Sequence, residues 1–112
     1  MNTYTTAQHY AVKIIRKHGM EILERNIDER IDLVAWDRKA DEIVFVEINE
    51  HKTPPKAGRR NWKMLMLYQQ RKAIRRWLRV NKWRGKHRFD VLEIYGTEKP
   101  VIDHIQNVNL KK

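Results

Sequence analysis

No cysteine occurs in the chain, so neither a disulfide framework nor a thiolate metal site is open to it, which fits a reducing cytoplasm. Histidines at positions 9, 18, 51, 87 and 104 are scattered without the paired spacing of a zinc site. No apolar run approaches the ~20 residues that a bilayer-crossing helix needs, and the first residues lack the hydrophobic centre of a secretory signal. A cytoplasmic protein with no membrane partner is expected. The most informative absence concerns charge: from Lys63 to Arg88 there is no acidic residue.

Positive charge is abundant instead. Lysine and arginine number 24 against 14 aspartates and glutamates, giving a net charge of +10. Such an excess favours a polyanionic partner, nucleic acid being the commonest, although ribosomal or membrane-surface attachment would also suit it. With 112 residues the chain is expected to form one domain, 1–112, with a modest core.

The stretch from Arg30 to Asn49 organises the rest. Residues 30–36 and 43–49 both alternate at period two and are rich in β-branched and aromatic side chains, and polar residues 37–42 lie between them. That pattern predicts a β-hairpin. Pairing Trp36 with Ile43 puts Val34 opposite Phe45, Asp32 opposite Glu47 and Arg30 opposite Asn49 on one side of the ribbon. Ile31, Leu33, Ala35, Val44, Val46 and Ile48 fall on the other. A ribbon apolar on both faces belongs in the middle of a covered sheet.

Asp32 and Glu47 stand out there, because like charges facing each other repel and carboxylates near a core need a neutralising cation. Two convergent carboxylates are what a magnesium site for phosphodiester cleavage requires. The competing reading is structural: both side chains reach water or pair with Arg30.

Around this hairpin, residues 5–18 have the spacing of an amphipathic helix, with Ala7, Tyr10, Ala11, Ile14 and Ile15 on one side and Gly19 at its end. Residues 20–26 predict a first strand, and residues 26–29 a turn into the hairpin. Only three prolines are present, and two of them, Pro54 and Pro55, fall in the basic stretch 50–60, which is expected to be a loop. Lys52, Lys56, Arg59 and Arg60 of that loop would meet any phosphate held near Glu47.

Residues 61–82 predict the longest helix. Trp62, Leu65, Met66, Ile74, Trp77, Leu78 and Asn81 form its packing side, while Lys72, Arg75, Arg76, Arg79 and Lys82 make a basic ridge that Lys63 extends. Like charges at helical neighbour spacing cost a few tenths of a kcal/mol per pair, a cost that a bound polyanion removes. Trp36 and Trp77 are expected in the core, and Trp83, between Lys82 and Arg84, is a weaker candidate for stacking on a base. Strands over 88–95 and 101–106 complete a mixed sheet flanked by helices, an α/β fold.

The blocks Asn26, Ile31-Asp32-Leu33-Val34-Ala35, Val44-Phe45-Val46-Glu47-Ile48 and Arg88-Phe89-Asp90-Val91 resemble the YraN-like bacterial proteins of the restriction-endonuclease-like, PD-(D/E)xK, superfamily. The resemblance implies a central mixed β-sheet flanked by helices and a nuclease centre in which Asp32 and Glu47 hold Mg²⁺ or Mn²⁺. Gln8 and Arg30 stand where the family has glutamates, and Asn49 where it has the lysine. An uncharged Asn49 offers only an amide hydrogen bond, and the Arg30 guanidinium would compete with a metal for carboxylate oxygens.

The expectation is a nucleic-acid-binding protein, with DNA the expected partner, on a nuclease fold whose metal-dependent phosphodiesterase centre at Asp32, Glu47, Asn49 and Gln8 is weakened or lost. No cofactor is expected unless the centre is active. The alternatives are an active Mg²⁺-dependent endonuclease, an assembly module of a larger nucleoprotein complex, and a binder of an acidic protein. Sequence leaves the oligomeric state open.

Overall fold

The computed structural model describes residues 6–52, 66–96 and 98–108. Helix α1 (Thr6–Lys17) is followed by three strands, β1 (Met20–Asp28), β2 (Ile31–Asp37) and β3 (Glu42–His51), then helix α2 (Tyr68–Val80) and strands β4 (Lys86–Tyr95) and β5 (Val101–Ile105). The five strands lie in sequence order in one sheet. Neighbours are antiparallel except β3 and β4, which run parallel because α2 lies in the connection between them. The sheet is therefore mixed, as expected.

Among the described residues each face of the sheet carries one helix. On the first, Ala7, Ala11, Val12 and Ile15 of α1 pack on Leu33, Ala35, Val44, Val46, Leu92 and Ile94. On the second, Ile74 of α2 and Met66 pack with Val34, Ile43, Phe45, Phe89 and Val91. The alternation in β2, β3 and β4 thus supplies both cores from the same strands. Gly19, at φ 82°, turns the chain out of α1 into β1.

The hairpin has the register read from sequence, with Trp36 opposite Ile43 and Val34 opposite Phe45, and its ladder runs to Leu33 opposite Val46. Several boundaries differ from expectation. Ile31 packs in the α2-side core, not on the α1 side. It begins β2 at an irregular end of the β1–β2 ladder, where the register shifts between Arg25 and Asp28, so simple alternation does not extend to it.

Asn26 does not start the turn. It sits within β1 at φ 54°, at that irregularity, and the strand runs on to Asp28. Strand β3 continues through Glu50 and His51, residues assigned to loop by their polarity, because they pair with Ile94 and Tyr95 of β4. The Gly96 amide also donates to the His51 carbonyl at 2.9 Å.

Helix α2 starts later than its periodicity suggests. Met66 and Leu67 are not helical, and Gln70 reaches back so that its side-chain oxygen accepts the Leu67 N–H. Residues 61–65, with Trp62, Lys63 and Leu65, lie outside the described residues. At the other end Asn81 is exposed, not packed, and donates its side-chain amide to the Trp77 carbonyl at 2.8 Å, while Lys82 follows the helix at φ 53°. Trp36 and Trp77 pack against the second core as expected. Trp83 does as well, with Nε1 donating to the Lys86 carbonyl at 3.0 Å, so its ring is committed to the fold.

Candidate functional site

Asp32 on β2 and Glu47 on β3 are brought together just beyond the last pair of the hairpin ladder. Glu47 is 5% exposed, and both of its oxygens carry donors. Arg30 donates from Nε at 3.2 Å and from Nη2 at 2.8 Å to Oε2, and Gln70 donates from Nε2 at 2.6 Å to Oε1. The turn that delivers Arg30 is held by its own amide donating to Oδ1 of Asp28 at 3.2 Å. Strand β3, the turn at Arg30 and helix α2 thus meet at one carboxylate.

Asp32 is held differently. Its Oδ2 accepts the Ile48 N–H at 2.6 Å. Burial pushes its carboxyl above the ordinary value of 3.8 and the neighbouring Glu47 charge adds to that, while the Ile48 hydrogen bond opposes both. The repulsion expected between the two acids is present, and the guanidinium that answers it bonds Glu47.

A divalent ion such as Mg²⁺ or Mn²⁺ needs several oxygen ligands free to turn toward it. Here both oxygens of Glu47 are engaged by side-chain donors and Oδ2 of Asp32 is engaged by backbone. Among the described residues no group of three His, Asp or Glu side chains is arranged to hold a metal. In this arrangement the residues do not fit the ion that the nuclease centre would use.

Asn49 and Gln8 each have a hydrogen-bond partner other than the two acids. Asn49 donates its side-chain amide to Oε2 of Glu93 at 2.8 Å, and the hairpin ladder ends at Leu33–Val46, short of the expected Arg30–Asn49 pair. Gln8 is buried, at 6% exposure. It belongs to α1, on the face of the sheet opposite α2, and its Nε2 donates to Oδ1 of Asn26 at 2.9 Å.

The basic residues divide by where they lie. Lys72, Arg75, Arg76 and Arg79 are all exposed on α2, and Lys82 and Lys52 are exposed beyond their elements. Lys56, Arg59, Arg60 and Lys63 lie outside the described residues. A groove of about 790 Å³ separates α2 from β1, with Lys72 and Arg76 on one side and three acids, Glu24, Asp28 and Glu29, with one cation, Arg25, on the other. Arg75 and Arg79 do not line it and are exposed.

A model of the uncharacterised protein family UPF0102 matches residues 7–94. The chain belongs to that family. It is the YraN-like family of the restriction-endonuclease-like superfamily, and the mixed five-stranded sheet with its two helices is compatible with that fold. The UPF0102 match takes in both acids, Arg30, Gln70 and the ridge, and leaves β5 beyond its end. No curated protein matches the chain. Among the described residues no helix is long and apolar enough to cross a membrane.

Sequence reading missed three participants: Gln70, Glu93 and His51. Gln70 is 1% exposed, and four residues before Ile74 it falls on the packing side of α2, a signal available in the spacing. Glu93 continues the alternation of Phe89 and Val91 on the α2 side, so a charged residue in an apolar row could have been noticed. Its partner His51 is hidden in a stretch that reads as loop.

A second buried acid, Asp90, is saturated on the same principle. Arg88 donates to it from Nε at 3.0 Å, His104 bonds it at 2.8 Å, and the Asn107 amide donates at 2.8 Å. Burial alone would raise its carboxyl, but these bonds and the Arg88 charge hold it below the ordinary value of 3.8. Arg88 also reaches Glu42 at 3.2 Å. Asp90 is 0% exposed, which suits a structural clamp better than a reacting group.

Proposed function

We propose that this UPF0102 member is a nucleic-acid-binding protein, with DNA as its expected partner, whose metal-dependent phosphodiesterase centre has weakened or lapsed. One observation carries the binding reading: Lys72, Arg75, Arg76 and Arg79 are exposed together on one helix, within a stretch that has no acid from Lys63 to Arg88. A face that is merely solvated usually mixes charge signs. Neutralising phosphates releases condensed counterions, so affinity falls linearly in log–log fashion with salt. The nuclease-like family and fold make a phosphodiester backbone the natural polyanion.

The lapse of catalysis rests on Arg30. Its guanidinium gives Glu47 the positive charge that a metal would supply, and Asn49 is turned to Glu93. The experiment is a binding and cleavage assay on duplex, single-stranded and branched DNA and on RNA, at several salt concentrations, with and without Mn²⁺. Salt-sensitive binding without cleavage is expected. Binding that ignores salt, or an acidic protein that outcompetes DNA at equal charge, would overturn the reading.

A further inference from the structure

Thirteen ångströms or so beyond Glu47 along β3, at ~3.3 Å per residue, the strand ends in a small aromatic arrangement that the acid pair does not use. Glu47, Asn49 and His51 share one side of β3 by alternation, and β4 places Glu93 beside Asn49 and Tyr95 beside His51. Glu93 is 4% exposed. Its Oε2 accepts from Asn49 and its Oε1 bonds Nε2 of His51, so its charge is answered by two side chains. The His51 ring also lies on the Tyr95 ring, with centroids 4.6 Å apart and planes 16° from parallel.

The imidazole is therefore fixed twice, at one edge by a buried carboxylate and on one face by a nearly buried tyrosine. Yet 42% of its side chain remains exposed. A ring held in place with surface still open has already given up the rotational freedom that a stacking partner would otherwise have to remove. At about 13 Å from Glu47, it cannot share an ion with that residue, since metal–nitrogen bonds are ~2 Å. It is a separate place on the molecule.

We infer that the His51–Tyr95 stack is a platform for an unpaired nucleobase, which makes single-stranded or frayed nucleic acid the preferred form of the polyanion. The inference rests on the nucleic-acid-binding reading and narrows its substrate class. Every base offers a π-face, so stacking tolerates sequence, and in a duplex that face is already covered by neighbouring bases. Exposed Lys52, next in the chain, places a positive charge beside the platform for the nucleotide's phosphate.

The test is a fluorescence titration with oligonucleotides carrying one 2-aminopurine, as single strand and as duplex, in DNA and RNA arms. Wild-type protein is expected to quench the probe in single strands. His51→Gln keeps an amide to donate to Glu93 but has no ring, and should lose on the order of five- to tenfold in single-strand affinity, with duplex affinity unchanged. His51→Phe combined with Glu93→Gln restores a ring without a buried unanswered charge and should recover the quenching. Arg75→Glu should weaken both forms alike. The inference is overturned if His51→Gln binds single strands as wild type does, or loses single strand and duplex equally. Wild-type protein that binds neither form overturns the nucleic-acid reading itself, whereas tight duplex binding with no preference for unpaired bases overturns the platform alone.

Discussion

Arg30 places two of its nitrogens on a single oxygen of Glu47, at 3.2 and 2.8 Å, and so gives that buried carboxylate an organic counter-ion. The arginine side chain is 41% exposed and the glutamate 6%, so the pair is anchored from the buried side. Replacing Arg30 with glutamate turns a neutralised acid into one of three neighbouring carboxylates. We expect Arg30→Glu to destabilise the metal-free protein by about 1–2 kcal/mol, less than a fully buried pair would lose. Mn²⁺ should then raise its melting temperature and bind it measurably by calorimetry, with neither effect in wild type. A variant indifferent to Mn²⁺ would mean that the geometry of the centre has drifted along with its chemistry.

Asn49→Lys, added to that variant, meets a constraint that the sequence did not disclose. Position 49 is turned toward Glu93, so the new ammonium pairs with that buried acid before it serves a phosphate. Metal affinity of the double variant should equal that of Arg30→Glu alone, and cleavage should require Glu93→Gln in addition. Cleavage by the double variant without the third change would show that the lysine swings back past Glu93.

Gln70 ties helix α2 to the sheet through one amide group. Its nitrogen donates to Glu47 and its oxygen accepts the Leu67 N–H that opens the helix. Gln70→Ala leaves a buried carboxylate oxygen and a helix-start amide short of a partner, at a cost of roughly 1–3 kcal/mol. Urea denaturation would read the loss as a lower midpoint with an unchanged slope. A change within experimental scatter would show that water replaces the amide freely and that the tie is incidental.

How far the sequence disclosed this arrangement depends on the kind of interaction. The hairpin register at Trp36–Ile43 and Val34–Phe45 was legible because the polar residues 37–42 bound the two runs and fix where the ribbon closes, whereas alternation alone does not choose between two apolar faces. The same alternation failed at Ile31, where the ladder is irregular, and polarity hid the last residues of β3, which are strand through their pairing with β4. The acid pair was legible because carboxylates interrupt apolar runs. The burial of Gln70 and Glu93 was within reach of the local pattern, but their partners were not, since these contacts span 23 and 44 residues of chain.

Opposite pH responses are expected from the two acids of shifted affinity. Asp90 lies below its ordinary value of 3.8 because the bonds from His104, Arg88 and the Asn107 amide outweigh its burial. Its contribution is fully present above 3.8 and is lost as the pH falls through the depressed value. Asp32 is raised by burial and by Glu47, so the folded protein takes up that proton more readily than the unfolded chain, and this group weighs against the fold most at neutral pH. Asp90→Asn should cost about 2–4 kcal/mol at pH 7, a loss that shrinks in acid. Asp32→Asn still accepts the Ile48 N–H and should stabilise by about 0.5–1 kcal/mol at neutral pH. That gain should fade below the raised value. Denaturant midpoints measured across the acid range check both slopes, and parallel responses would contradict the assignment.

If the ridge binds nucleic acid as proposed, substitutions on it should separate binding from folding. Arg75 and Arg79 are exposed and lie outside the groove that α2 forms with β1, whereas Lys72 and Arg76 line it opposite three acids, Glu24, Asp28 and Glu29, and one cation, Arg25. Phosphates should therefore be met chiefly by the pair outside the groove, because the groove side already faces acids of the same chain. Arg75→Glu and Arg79→Glu should each lower nucleic-acid affinity and reduce the slope of log affinity against log salt by about 1. Stability should change by less than about 0.5 kcal/mol, since neither residue is packed. Lys72→Glu and Arg76→Glu should have smaller effects on the slope. Equal slopes for all four would assign the contact to the whole helix, and no change in any of them would move the polyanion site off α2 altogether.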